Sequence, residues 1–484
     1  MPELVALICE QLETDDISDF RAACRTTESN SRNFFATKAF QTVCVAYTEP
    51  GLKRLQDIAQ CHRLSWALKS MVLYHADFVF NIDSMEACER GYSPNRAFYK
   101  QKWIPFKKFV SVQRRFFALR TDFACLKRTF VALKEHGTAL SIVVMGVQCR
   151  DVQSTLDDGE ISNRYVQTHG YDIERVTNLL GGIGNDFVCL DDAVTDADFD
   201  KVFDNLEFAL ECSGLGHAVE QFGMPNYMLR SRTVTMGTGS VHMQGRFMAN
   251  VHTLDIGLFP EYVCNKHDFE QTDNMLSLLS RLEKVRNLTL RLDTDLFPVK
   301  RYYSKYLSGL LRETVLDSLQ TLDLIGEWVV QKSADMSKFF SNHSSSLVKL
   351  SMTKFGTIKG CPAEVFRAIA SCDALQSIRV GSWNDSKQIW YAMEFLAEVA
   401  FTPAGADRKY ISHITLEDDC ETFCIEQPAI KHCMQRFARV CEEEQEENDD
   451  SEDEEDDVTE DEEDEEDEED GEHGHGGPQE REEE

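Results

Sequence analysis

The sequence predicts an α/β chain on three observations: a helical run at the N-terminus, a strand-like apolar pattern that returns along the C-terminal half, and an acidic end too polar to fold. Leu4, Ile8 and Leu12 recur every four residues, with Val5 and Leu7 widening the stripe, which is the spacing of one helix face. Pro2 stands where a missing N–H costs nothing. Thr14, Asp15 or Asp16 caps a second helix that carries Ile17, Phe20 and Cys24 on one face. Ser29 or Ser31 opens a third, ending near Phe40.

Beyond this module, 41–47 reads as a strand, 51–60 as a helix and 68–73 as a strand. A long helical stretch from about 109 to 135 then leads to a β run over 139–145. Residues 150–250 carry the weakest pattern, and their Gly-rich clusters at 181–184, 214–216 and 236–240 predict long loops. Neither Gly181-Gly-Ile-Gly184 nor Gly237-Thr-Gly-Ser240 has the residues a dinucleotide or phosphate loop requires, so both read as turns.

One pattern then returns: apolar, two polar, apolar, polar, apolar. It stands at 251–256, 285–290, 319–324, 375–380 and 411–416, and at 347–352 with Val348 as its one exception. The steps are 34, 34, 28, 28 and 36 residues, with helix-like segments at 274–282, 301–312, 363–371 and 389–400. A strand plus a helix in each unit buries its apolar faces only against neighbouring units.

Pro-Glu-Leu at the start, then Ile8, Leu12, Asp-Ile17, Phe20-Arg and Cys24-Arg, resemble an F-box in the divergent form common in fungal proteins, over about the first 45 residues. Two departures stand out. The start is one residue shorter than the family's, and Phe34 and Phe35 replace its late Trp. The resemblance implies docking on a Skp-type adaptor, and through it on a cullin ubiquitin ligase, by Pro2, Leu4, Ile8, Leu12, Ile17, Phe20 and Cys24. Packing of the module's own helices is the competing role for each.

The returning pattern resembles a degenerate leucine-rich repeat, which implies an irregular α/β solenoid over 46–441 with long loops within about 150–250. The family's Asn or Cys three residues beyond the strand is absent; Phe259, Asp293, Glu327, Phe355, Trp383 and Asp419 stand there. A solenoid of this kind grips a target protein, for which Trp328, Phe355, Trp383, Trp390 and Tyr391 are candidate anchors, with core packing as the alternative. An ordinary α/β domain with a mixed sheet is the other reading of the same pattern.

The formal net charge of −34 comes mostly from one place. Residues 442–484 hold 29 acidic residues against Arg481, a balance of 1 − 29 = −28, and 1–441 hold 49 basic and 55 acidic residues, or −6. The tail has too little apolar surface to offset the entropy of ordering, so 442–484 is expected to be disordered. A solubilising role is expected for it, and binding of a basic protein such as a histone also fits. Ser451 and Thr459, each with an acidic residue three positions on, are phosphorylation candidates.

Residues 100–128 hold nine basic residues against Asp122, interleaved with Trp103, Phe106, Phe109, Phe116 and Phe117. A helix with an aromatic core side and a solvated basic side is expected; nucleic acid would face competition from the acidic tail, which could itself fold back onto the patch. Cys420, Cys424, His432, Cys433 and Cys441 lack metal-site spacing and read as packing thiols, so no metal or cofactor is expected. No nucleophile elbow or paired metal-ligand helix frames a catalytic set. No run of 18 apolar residues occurs, and a non-catalytic, cytoplasmic or nuclear adaptor with no membrane partner is the expectation.

Overall fold

The first nine described strands join one sheet in the order in which the chain makes them. The computed structural model describes residues 2–12, 14–23, 25–75, 104–138, 140–147, 196–230, 248–259, 279, 282–292, 300–384, 390–391, 411–417 and 420–452. Met1–Glu442 is one compact unit and Glu443–Glu484 a second. The fold is mixed α/β with a mostly parallel sheet.

Three helices come first: α1 (Pro2–Gln11), α2 (Thr14–Ala23) and α3 (Arg25–Phe40). They enclose a small core of Val5, Cys9 and Ile17, against which Leu12, Phe20, Phe34 and Phe35 pack. The Arg21 guanidinium lies 4.0 Å from the Phe35 ring centroid, so an always-charged side chain closes this core with its flat face.

The parallel strands are β1 (Thr42–Ala46), β2 (Ser70–His75), β3 (Ile142–Val147), β4 (Gln221–Arg230), β5 (Thr253–Phe259), β6 (Asn287–Leu292), β7 (Thr321–Lys332), β8 (Lys349–Lys359) and β9 (Ser377–Asn384). Their register puts like with like. Val43, Met71, Val143, Phe222, Leu254, Leu288, Leu322, Leu350 and Ile378 pair in one row across all nine strands. Every one is buried in the main core. Burial of such a side chain stabilises by about 1.5–3 kcal/mol, so a one-residue slip of any strand would cost its whole apolar set.

A backbone junction recurs where each strand begins. The Lys69 carbonyl accepts from both Ser141 N and Ile142 N, and Glu220, His252, Arg286, Gln320 and Val348 do the same for the next strand along. One acceptor thereby satisfies two donors and holds successive units at a fixed step.

Helices cover the apolar side: α4 (Glu49–Gln60), the single-turn α5 (His62–Ser65), α6 (Ile104–Ala118), α7 (Thr121–Glu135), α8 (Asp196–Ser213), α9 (Lys300–Glu313), α10 (Ser333–Asn342), α11 (Pro362–Ala370) and, through its residues up to Cys441, α12 (Ala429–Glu452). The Thr48 hydroxyl caps α4 by accepting from Gly51 N at 3.3 Å, with Pro50 in the first turn where its missing N–H is harmless. Buried Asp122 of α7 accepts from Tyr47 at 3.1 Å and from Asn205 of α8 at 2.8 Å, tying the end of β1 to two helices.

The structure departs from the sequence reading in several places. The stretch 109–135 is two helices, because the chain turns at Leu119 and Arg120, the latter with φ 51°. The expected loops of 150–250 include α8 and β4, a further strand of the parallel series. The strand at 411–416 is real but not parallel: β11 (Ile411–Glu417) pairs antiparallel with β12 (Cys420–Glu426), which pairs antiparallel with β9. In place of the start of the expected helix at 389–400, β10 (Trp390–Tyr391) adds to the far end of β9; residues 392–400 lie outside the described residues, as do both Gly motifs and most of the helix expected at 274–282. Helix α12 runs to Glu452, so the tail expected to be disordered from 442 begins as helix.

Candidate functional site

The exposed face of α1 is the first candidate. Leu4, Leu7 and Ile8 are 57%, 61% and 36% exposed, while Val5 and Cys9 of the same helix are buried. The i, i+3, i+4 spacing gathers the three on one stripe. Of the residues expected to meet an adaptor, Leu4 and Ile8 are therefore on the surface, and Leu12 and Phe20 are half-buried at the module's core. Ile17 corrects that expectation: it has no exposed surface and is a core residue. Pro2 lies in the first turn of α1, and Cys24 is outside the described residues. Leu7 was legible only as a residue that widened the helical stripe.

The target-binding anchors need a larger correction. Trp328 and Phe355 are fully buried in the main core, so neither can meet a partner. Alternation carried forward from Met352 would turn Phe355 away from the helices. The ladder shifts between Leu324 and Glu327, and beyond it Trp328 pairs with Phe355. Phe355 then meets Phe366 of α11 edge-on at 5.9 Å. Trp383 continues that backbone row on β9 and pairs with Tyr391, beside Trp390 opposite Asn384.

The sheet's other face carries polar residues that the sequence reading left unassigned. Asp255, Thr289, Asp323, Ser351 and Arg379 form one row across β5 to β9. Each is half-buried. Their signal was the single polar position between the last two apolar residues of every repeat. Arg291, two residues beyond Thr289, donates two bonds to Asp255, at 2.8 Å from Nε and 3.0 Å from the guanidinium end. Such paired bonds fix orientation as well as charge. Burial raises the Asp323 pKa, against the opposing pull of a hydrogen bond from Ser351 and the charge of Arg291. The row presents donors and acceptors of both charges on one face of the sheet.

Elsewhere, Cys433 and Cys441 are buried in the core and His432 is exposed. No group of three metal-binding side chains occurs among the described residues. Ser451 falls in the last turn of α12, and Thr459 is outside the described residues. No helix among the described residues is long and apolar enough to cross a membrane. Comparison with protein-family models and with curated proteins finds no match for the chain.

Proposed function

We propose that the chain is a substrate-receptor subunit of a Skp/cullin/F-box ubiquitin ligase, with α1–α3 as an F-box-like module and the sheet as an irregular leucine-rich-repeat-like body. The observation that carries this reading is the outward stripe of Leu4, Leu7 and Ile8 on a three-helix module whose other apolar side chains already fill a core of their own. An apolar stripe left in water at that position suits docking on an adaptor. The repeat-like reading of the body draws on strands added in chain order and on the recurring junction of one carbonyl with two N–H groups. The polar row from Asp255 to Arg379 is the surface best suited to a target protein. Catalysis in this reading is by proximity alone: the receptor raises the local concentration of target lysines beside the ubiquitin-loaded enzyme.

The test is co-purification with a Skp-type adaptor, comparing wild type with a Leu4→Asp, Ile8→Asp variant whose circular dichroism and melting are unchanged. Wild-type binding that the variant loses supports the receptor role. Failure of wild type to bind removes it and leaves a second reading, an acidic scaffold whose 442–484 segment binds basic proteins.

A further inference from the structure

A groove of about 740 Å³ runs along the outer side of α7, bounded at one end by Gln60 of α4. Its floor is apolar: Phe123 and Val131 are half-buried, and Phe123 is held by stacking on Phe208 of α8 at 5.2 Å. Its rim is cationic. Lys127 and Arg128 are both exposed, and neither makes an ion pair among the described residues. His136 closes the end, its Nδ1 engaged with the Ser65 hydroxyl at 2.8 Å and its ring edge-on to His62 at 5.1 Å, which leaves Nε2 as its uncommitted nitrogen. Glu135 is the one acid in the lining.

We infer that this groove binds an acidic segment of the target protein, one that alternates apolar side chains with Asp, Glu or phosphorylated residues; the inference rests on the receptor reading and names the chemistry of what is received. From Phe123 to His136 the helix rises about 20 Å, room for about six extended residues. Apolar side chains lie on Phe123 and Val131, and alternate carboxylates or phosphates meet Lys127, Arg128 and His136. The setting favours this pairing. Residues 104–135 hold eight basic residues and two acids, of which Asp122 is 1% exposed and Glu135 is the exposed one at the groove, so the local balance is cationic. A nucleic acid fits less well, because two adjacent cations supply no long phosphate track, and the Phe123 ring is already engaged by Phe208 and by the Arg120 guanidinium 5.5 Å from its centroid.

The probe is a fluorescein-labelled peptide of about ten residues alternating Glu and Leu, titrated into the full-length protein at low and physiological salt. Binding that weakens with salt, and weakens about tenfold for both a Gln–Leu peptide and a Lys127→Glu, Arg128→Glu variant, is the expected result. Equal binding by that variant, no saturation by the Glu–Leu peptide, or tighter binding of an oligonucleotide of equal charge would overturn the inference. A Val131→Gln variant, which makes the floor polar and leaves the groove's charge unchanged, must also lose binding. Adaptor association measured on the same samples separates the two readings: rim variants leave it intact, whereas the Leu4→Asp, Ile8→Asp variant loses it and keeps the peptide.

Discussion

The Leu316 N–H donates to Nε2 of His343 at 3.0 Å, while Nδ1 of the same ring donates to the Phe339 carbonyl at 2.7 Å. A carbonyl can only accept, so both bonds together require neutral imidazole with its proton on Nδ1. The ring thus joins the end of α10 to the turn that leads into β7. Burial lowers the His343 pKa, against a smaller opposing effect of the Phe339 carbonyl. A depressed histidine contributes stability that is present above the unfolded value of about 6.5 and is lost as pH falls through the folded value. The midpoint of urea unfolding is therefore expected to drop between pH 7 and pH 5, with a shallower drop in His343→Leu. At pH 7 that variant strands a buried N–H and loses about 1–3 kcal/mol.

Gly326 has φ +94°, and a Cβ built on it would sit 1.9 Å from the Leu292 carbonyl oxygen of the neighbouring strand. Both the backbone conformation and the contact exclude a side chain, and the obstacle is backbone that cannot swing aside. Gly326→Ala is expected to cost on the order of 3 kcal/mol by chemical denaturation. Gly137→Ala separates the two effects. It shares a positive φ of 69° but meets nothing within 4 Å, so its cost should stay near 1 kcal/mol.

Asp323 is retained in the middle of the sheet although burial raises its pKa, which means its charged form is the costly one in the fold. An acid with a raised folded value contributes favourably below the unfolded pKa of about 4, and that contribution is lost as pH rises through the folded value. Asp323→Asn keeps an acceptor for Ser351 and removes the charge. The variant should unfold at a higher urea concentration than wild type at pH 7, and the gain should shrink as pH falls toward 3.

The apolar triplets of β5 to β9 were legible because each strand buries alternate residues against the helices, so burial writes its period directly into the chain. The same triplet stands at Val219, just before β4, and at Phe222 and Met224 within it, but Gly223 occupies the polar position and Pro225 follows, which hides the strand. The break between α6 and α7 was hidden because Arg120 takes a left-handed conformation that nothing in its own chemistry announces. Trp328 lies beyond the triplet at 319–324 on a strand that runs on to Lys332, where alternation from Leu324 keeps it inward; Phe355 turns inward for a different reason. A ladder irregularity that begins at Leu324 is a property of paired strands, invisible in either strand alone. The α1 stripe could be read, but its division into inward Val5 and Cys9 and outward Leu4, Leu7 and Ile8 depends on where α2 and α3 pack.

That division gives the last prediction its form. Ile8 and Ile17 are the same residue type in the same small module, yet Ile8 is 36% exposed and Ile17 has no exposed surface. Ile17→Ala removes methylene groups from a core built on Val5, Cys9 and Ile17, where few neighbours can close the cavity, and should destabilise the module by about 2–4 kcal/mol. Ile8→Asp replaces a side chain that already meets water, so it should move stability by less than about 1 kcal/mol. Proteolysis near the N-terminus, followed over time, reads the two effects apart: Ile17→Ala should open the first 40 residues to cleavage, and Ile8→Asp should leave them as resistant as wild type. If the adaptor docks on α1, binding should fail in Ile8→Asp despite that resistance, and in Ile17→Ala it should fail only to the extent that the module unfolds. Equal loss of resistance in both variants would mean that Ile8 supports the fold, and the exposed stripe would no longer serve as a docking surface.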